Sequence, residues 1–394
     1  METVKLIYLD NQATTPTDPR VLHSMIGFLQ ASNVGNPHSE HFLGRRAANA
    51  VEDAREKVAA LIGARAEEII FTSGATEANN IALQGIARAG SRRGNHIVTC
   101  ATEHKCVLEC VHYLGESGFE TTILPVGNDG LLNVDDLAAA ITDRTTLVSI
   151  MAANNEIGVL QPIDEISKLC RSHEIVFHSD AAQAAGKVPF DVGVLGTDLV
   201  SLSGHKLYAP IGIGALFVSD GAVVRPEPIF RGGGQERGLR SGTVAAHLVV
   251  AMGAAAEIAK AEMAKDAAHA DGLRSRFLEI VQARLPTSFV NSAGAPRLPG
   301  NLSISFPGID ADRLVGALQP HVAVSTNAAC SSGVMQASHV LRALGLTDDL
   351  AESTIRVGFG RFNTVPEVEA AACLVCEKVE NIRGDVSSSG NVAA

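Results

Sequence analysis

Tryptophan is absent and tyrosine occurs three times in 394 residues, so aromatic stacking platforms have little to be built from. Also missing is any apolar run of about 18 residues free of charges and breaks, and no membrane-spanning helix is expected. The opening METVKLIYLD meets an acidic residue at once and has no apolar stretch leading to a cleavage site, so it does not read as a secretory signal. Positive charge is not in excess. The formal net charge is −11, which argues against direct nucleic-acid binding. The cysteines, seven in number and without framework spacing, fit a reducing compartment such as the cytoplasm better than a disulfide scaffold. There is no GxxxxGK[ST] loop, and no GxGxxG opens a helix after a strand. The Walker loop and the dinucleotide fingerprint are therefore excluded.

What is present is the composition of a globular protein with a substantial core, 46% hydrophobic and 19% charged. The length suits two or three domains, or one large domain with an appendage. Short β-branched runs, EEIIFTS, NHIVTCA, ETTILPV, TTLVSIM, EIVFHSD and DLVSLSG, alternate with helical stretches that include 78–88, 134–141 and 163–173. This alternation predicts an α/β fold with a mostly parallel sheet between helices, and the continuous apolar runs fit strands buried on both faces. Residues 243–285 read as one long Ala-rich helix. The strands NLSISFPG and STIRVGFG beyond it predict a smaller α+β domain, against which the first dozen residues pack. The tail GDVSSSGNVAA is Ser/Gly-rich and is expected to be disordered.

Ligands of open α/β sheets bind beyond the carboxyl ends of the strands, and the polar clusters of this chain sit there. TSGATEANN, 72–80, runs from a strand end through a small-residue turn into a helix. Its free N–H groups suit a phosphate, with Gly74 allowing close approach and Thr76 offering a hydroxyl; a simply capped helix start has the same pattern. In FHSDAAQAAGK, Asp180 ends an apolar strand. A carboxylate there caps the next helix or faces a buried cation such as a protonated pyridine nitrogen, with Gln183 about one turn on. In SLSGHKLYAP, Lys206 lies one strand–helix unit further along, at the same sheet edge. Partial desolvation there favours the neutral amine that forms an imine, and Ser203 and His205 add anion donors. A flat cationic ring carrying a phosphate and a lysine-reactive carbonyl answers all three clusters, and pyridoxal 5′-phosphate has these parts.

The cysteines divide. Cys100, His104, Cys106, Cys110 and His112 match no zinc spacing; Cys106 and Cys110 fall one turn apart on an apolar helix face, and no metal is required. His104, just past a strand end, is placed to lie over a cofactor ring. Cys373 and Cys376 read as buried structural thiols in an amphipathic helix. Cys330 lies in STNAACSSGV, a small, polar run expected to be a mobile, exposed loop where a thiol can meet substrate. Arg356 sits inside the alternating strand STIRVGFG, facing either a ligand carboxylate or an internal ion pair.

With these motifs in order, the chain resembles cysteine desulfurases of the NifS/IscS type, in the class-V aminotransferase family of pyridoxal-phosphate enzymes. The resemblance runs through YLDNQATTP, NPHSEHFLGRRA, TSGATEANN, TEHKCVL, NNEIG, HSDAAQAAGK, SGHKLYAPIGIGAL, GGGQERGLRSGT, ACSSG and IRVGFGRFN. It implies transferase fold type I: a large cofactor-binding domain over 16–262 with a seven-stranded, mostly parallel sheet, and a small domain from 1–15 and 263–383 carrying the catalytic cysteine, with 384–394 as a tail. It implies that Lys206 holds the cofactor through an imine, that Asp180 pairs with the ring nitrogen, that Gln183 bonds the ring hydroxyl and that His104 stacks on the ring. Gly74, Ala75, Thr76, Ser203 and His205 would hold the phosphate, and Thr243 would reach the phosphate of a second subunit in a homodimer. Asn155 and Arg356 would bind the carboxylate of L-cysteine. Cys330 would take the sulfur as a persulfide, releasing alanine, and would be the group that meets any cluster or metal on an acceptor. The acceptor would be an iron–sulfur scaffold or a sulfur carrier, with tRNA or DNA thiolation as other destinations; the tail differs from that of the scaffold-docking branch. Alternatives are a selenocysteine lyase, another enzyme of this family, or a catalytically silent sulfur carrier or scaffold.

Overall fold

The computed structural model describes residues 6–31, 35–90, 93–326, 329–331 and 334–390, with side chains left out at 329–331, 334–336 and 386–390. Its larger sheet has seven strands, in the order Ile69–Thr72, Gly214–Val218, Leu199–Ser203, Val176–Asp180, Thr145–Ser149, His96–Cys100 and Glu120–Leu124. All run the same way except Gly214–Val218, which is antiparallel to both neighbours. That strand, from the GIGAL run, lies outside the expected set. Consecutive residues feed opposite cores. Ile97, Leu147, Val176, Leu199 and Leu216 point into one, and Val98, Val148, Phe177, Val200 and Phe217 into the other. With both faces covered, period-2 alternation has no polar half, so the strands read as unbroken apolar runs.

The second sheet is antiparallel, in the order Ser325–Thr326, Thr354–Gly358, Asn301–Ser305 and Phe289–Val290. Helix Ala246–Arg284, about 58 Å long at 1.5 Å per residue, belongs to both cores. Its first half buries Val249, Met252 and Ala256 against the large sheet, and its second half buries Leu273, Phe277 and Val281 against the small one. The alanines of the first half permit close packing. A Cβ at Gly253 would come within 2.6 Å of Ala54 Cα on helix Phe42–Leu61.

The first residues do pack against the second sheet. Ile7–Tyr8 pairs with Val322–Ala323, Leu9 is buried in that core, and Asp10 bridges to Gly358. Two expectations change. The segment with Cys330 is a strand, Ala329–Ser331, paired antiparallel with Val334–Gln336 so that Cys330 faces Met335 across the ladder. The pair is separate from both larger sheets, and an isolated two-stranded ladder is marginal by itself. The last helix, Val365–Gly390, continues through 384–390 of the expected tail, with Asp385 ion-paired to Arg313 at 2.7 Å; residues 391–394 lie outside the described residues. No helix among the described residues is long and apolar enough to cross a membrane.

One buried ion pair holds the loop that borders the site. Arg55 and Glu236, 6% and 3% exposed, meet through two bonds of 2.8 Å. Glu236 also accepts from Phe71 N–H at 2.7 Å, and Arg55 donates to Ile69 C=O at 2.8 Å. Glu236 and Arg237 have φ of 45° and 57°, a strained conformation for non-glycine residues that this pairing pins. Replacing Glu236 by Ala strips buried Arg55 of its buried partner and Phe71 N–H of its acceptor, leaving the guanidinium, among the described carboxylates, only its Nε contact of 3.1 Å to the 57%-exposed Glu52. Urea denaturation of Glu236→Ala should show a loss of about 3–5 kcal/mol.

Candidate active site

The larger sheet delivers its polar residues at the ends of its strands. Asp180 ends Val176–Asp180, and the chain re-enters at Ala181–Gln183. Ser203 ends Leu199–Ser203, and a 3-10 turn, Gly204–Lys206, swings Lys206 back over the sheet edge. Helix Ala75–Gly90 begins three residues after Thr72, and the N–H groups of its first turn have no acceptor within the helix. The turn before it needs a close neighbour without a side chain, since a Cβ on Gly214 would come within 2.6 Å of Gly74 Cα.

These elements enclose a cavity of about 480 Å³. Gly74, Ala75, Thr76, His104, Asn155, Asp180, Gln183, Ser203, His205, Lys206 and Arg356 all line it. Two candidates stand apart. Thr243 is exposed and lies outside the cavity wall, and the side chain of Cys330 lies outside the described residues.

Lys206 Nζ donates to Ala13 C=O at 2.7 Å and to Gln12 C=O. Burial, reinforced by the Arg356 charge, brings the ammonium down to about 8. Asp180 is buried, and among the described residues no cationic side chain is bonded to it. Its oxygens accept from Asn79 Nδ2 at 2.7 Å and Ala182 N–H at 2.9 Å. Gln183 Nε2 donates to Gln12 C=O at 2.9 Å, and Gln183 Oε1 accepts from Lys187 Nζ at 2.8 Å. Burial, then the Lys206 charge, lowers Lys187 to about 7.

His104 caps helix Lys105–Glu116, its Nδ1 accepting from Cys106 N–H at 3.2 Å. That bond leaves Nε2 to carry the proton of the neutral ring. Burial lowers its pKa against the opposing pull of Asp180. His205, bonded through Nδ1 to Thr14 Oγ1 at 3.1 Å, is lowered to about 4 by burial and then by Lys206 and Lys187. Arg356 pairs with Asp10 at 2.9 Å, so an internal ion pair is present. Its Nη1 donates to Asn155 C=O at 3.3 Å, and its buried Nε has no partner among the described residues.

Several contributors escaped the sequence reading. Gln12 and Ala13 act through backbone carbonyls, which no side-chain pattern reveals. Asn79 was within reach, four residues after Ala75 and so on the same helix face. Glu77, bonded to Arg240 Nε at 2.7 Å and Ser73 N–H at 2.6 Å, closes the rim. Cys106 does not simply face an apolar core. It lines the cavity, its Sγ 3.0 Å from His104 Nδ1 and 3.1 Å from Asn79 Nδ2, with burial pushing the thiol up to about 12. Cys376 is buried but Cys373 is exposed, because three residues turn a helix by 300° rather than a full circle. Among the described residues no group of three or more His, Cys, Asp and Glu is placed to hold a metal.

The aminotransferase class-V family model matches residues 7–371. The chain belongs to the class-V aminotransferase family. Cysteine desulfurase IscS of Rickettsia akari (strain Hartford) is 48% identical over 378 residues, covering 96% of this chain and 92% of that protein. A NifS-like protein of known structure superposes with a TM-score of 0.89 at 37% identity, covering 95% of this chain and 100% of that one. A structure of SspA in complex with cysteine gives 0.80 at 35% identity, covering 91% and 100%.

Class-V aminotransferases depend on pyridoxal phosphate, and the residues present fit it. Asp180 is a buried carboxylate held only by neutral donors, which is costly until a cation faces it. A first helical turn with open N–H groups and a depressed lysine share its cavity. For the imine-forming role expected of Lys206, cofactor capture by the cofactor-free protein, followed by absorbance, should speed up as pH rises, because only a neutral amine reacts. It should level off above about pH 8, where an ordinary lysine would keep climbing to 10.5.

Proposed function

We propose that this class-V aminotransferase is a pyridoxal-phosphate-dependent cysteine desulfurase that converts L-cysteine to L-alanine and a persulfide on Cys330. The observation that carries the reading is one cavity holding the Lys206 amine, the Asp180 carboxylate and the unpartnered Nε of Arg356. Relatives named as cysteine desulfurases at 48% identity support the choice among class-V reactions.

When bound, the cofactor supplies an electron sink conjugated to the carbon that carries the substrate amine. The first-turn N–H groups at Ala75 and Thr76, with Gly74 giving access, hold its phosphate beside Ser203 and His205. His205, neutral because of its burial and the nearby lysines, serves as a hydrogen-bond partner rather than a counter-charge. Asp180 keeps the proton on the ring nitrogen. Gln183 spends one N–H on Gln12 C=O and has a second for the ring hydroxyl. Lys206 would hold the cofactor through its amine, and that amine, brought to about 8 by burial and the Arg356 charge, would take the substrate's α-proton. His104 stacks on the ring and offers its Nε2 proton. Arg356 and Asn155 hold the substrate carboxylate. The thiolate of Cys330 attacks the substrate sulfur: the carbon–sulfur bond breaks, a sulfur–sulfur bond forms, and the released electron pair stays with carbon, which gains a proton to become alanine.

The same reading extends to a homodimer, in which exposed Thr243 completes the phosphate site of the partner. The chain divides into a cofactor domain over 16–262 and a small domain from 1–15 and 263–383. The persulfide passes to a sulfur-acceptor protein, an iron–sulfur scaffold or a sulfur carrier, in the cytoplasm. The six described cysteines are all free, as a reducing compartment requires.

The holoenzyme with L-cysteine and a reductant should yield equal amounts of alanine and sulfide. Lys206→Ala should lower turnover by roughly three orders of magnitude or more. Cys330→Ser should abolish the persulfide seen by mass spectrometry. A wild-type protein that makes no alanine removes the desulfurase reading and favours a silent carrier; alanine formation undiminished in Cys330→Ser removes the persulfide step. Light scattering should report twice the 41.1 kDa chain mass, and a monomer would remove the role of Thr243.

A further inference from the structure

Cys330 acts only if its thiol meets the sulfur of a substrate whose carboxylate sits on Arg356. The structure ties both to one guanidinium. Arg356 is braced on two sides, by Asp10 Oδ1 on Nη2 at 2.9 Å and by Asn155 C=O on Nη1 at 3.3 Å. Each brace continues to one end of the segment that carries Cys330. The second oxygen of Asp10 accepts from Ser325 Oγ at 2.5 Å. Ser325 faces Arg356 across the ladder between Ser325–Thr326 and Thr354–Gly358, and it stands five residues before Cys330. On the other side, Glu156 follows Asn155 directly, and its Oε2 accepts from Ser338 Oγ at 2.5 Å. Ser338 stands eight residues after Cys330. Its hydroxyl also accepts from Val340 N–H at 3.1 Å and Leu341 N–H at 3.3 Å, capping helix His339–Ala343.

We propose that Asp10 and Glu156 are positioning residues for Cys330, fixing the two ends of its segment through Ser325 and Ser338 in register with Arg356. The inference rests on the desulfurase reading of Arg356 and Cys330. Its physical basis is that a reacting pair must be held to within a fraction of an ångström, and a displacement of about 1 Å costs on the order of a hundredfold. Tying both ends of the nucleophile's segment to groups that brace Arg356 makes where that segment starts and ends follow the guanidinium rather than how the two sheets settle against each other. Glu156 is partly buried, and burial raises its pKa against the Ser338 hydroxyl bond; Ser338 itself is buried, so little water can take over its contact.

The serines are the clean probes, because changing them leaves the Asp10–Arg356 pair in place. In the holoenzyme, Ser325→Ala and Ser338→Ala should each lower kcat, and single-turnover persulfide on Cys330, by roughly fivefold to tenfold. The double variant should lose roughly 25-fold to 100-fold, the two losses multiplying as for separate anchors. KM for L-cysteine and the cofactor absorbance change on mixing, which report steps before thiol attack, should stay within about twofold, since no group that binds substrate has changed. Ser→Thr at either position should restore kcat. Ser338→Gly, a tolerated helix N-cap that cannot donate to Glu156, should behave like Ser338→Ala even if the latter is poorly folded. An undiminished kcat in the double variant would overturn the proposal. So would a fall in which KM or the absorbance change moves in step with kcat, or one that threonine does not rescue. Failure of the wild type to form alanine would instead strike the desulfurase reading.

Discussion

A buried amine has to be kept where it can lose its proton, and the site is arranged around that requirement for Lys206. Desolvation and the Arg356 charge bring it to about 8, and two main-chain carbonyls, of Gln12 and Ala13, satisfy its donors without adding a charge. A carboxylate in their place would stabilise the ammonium and undo the shift. The carbonyls belong to a strap from the start of the chain. Its Thr14 meets His205 and its Thr15 donates to His205 C=O, while Asp10 and Asn11 bond Arg356 and Gly358 of the second sheet. The group that tunes the lysine therefore also stitches the two cores together at the site.

The charges around the cavity follow one logic. Burial first, and then repulsion among Lys187, Lys206 and Arg356, lets the lysines shed protons easily and holds His205 neutral. That concentration of positive potential suits a phosphate and a carboxylate arriving together. On the opposite wall Asp180 is buried among neutral donors, and Asn79 links it to Cys106 and so to His104. A cofactor with anionic and cationic ends matches this polarity, whereas a purely anionic ligand would leave Asp180 uncompensated.

Two sheets supply the site, and few elements cross between them. Helix Ala246–Arg284 is one, packed by small residues at its first half and by Leu273, Phe277 and Val281 at its second. The strap is another, and Arg356 reaching to Asn155 is a third. The hairpin with Cys330 belongs to neither sheet, and among the described side chains its neighbours in sequence are held through Ser325 and Ser338. A segment fastened at its ends and free of both sheets suits the sulfur-carrying role proposed for Cys330.

Much was legible in the residues themselves. Asp180, Ser203, Lys206 and the helix start at Ala75 stood out because polar residues at the ends of apolar runs have few other uses, and the parallel-sheet edge was implied by the alternation of elements. Cys373 and Cys106 were misjudged, because a helix face had to be assigned without knowing what packed on it. The hairpin at Cys330 was missed because its small residues carry no strand signal. Gln12, Ala13, the Asp10–Arg356 pair and the Arg55–Glu236 pair were invisible for a stronger reason. They join positions some 180 to 350 residues apart, and two of them act through peptide carbonyls common to every residue. The sequence by itself determined which chemistry is available, because amines, carboxylates and thiols keep their character wherever they lie. Only the tertiary structure decided which of them meet, how far burial shifts them and which carbonyls they lean on, because those depend on distance and solvent exclusion rather than on order along the chain.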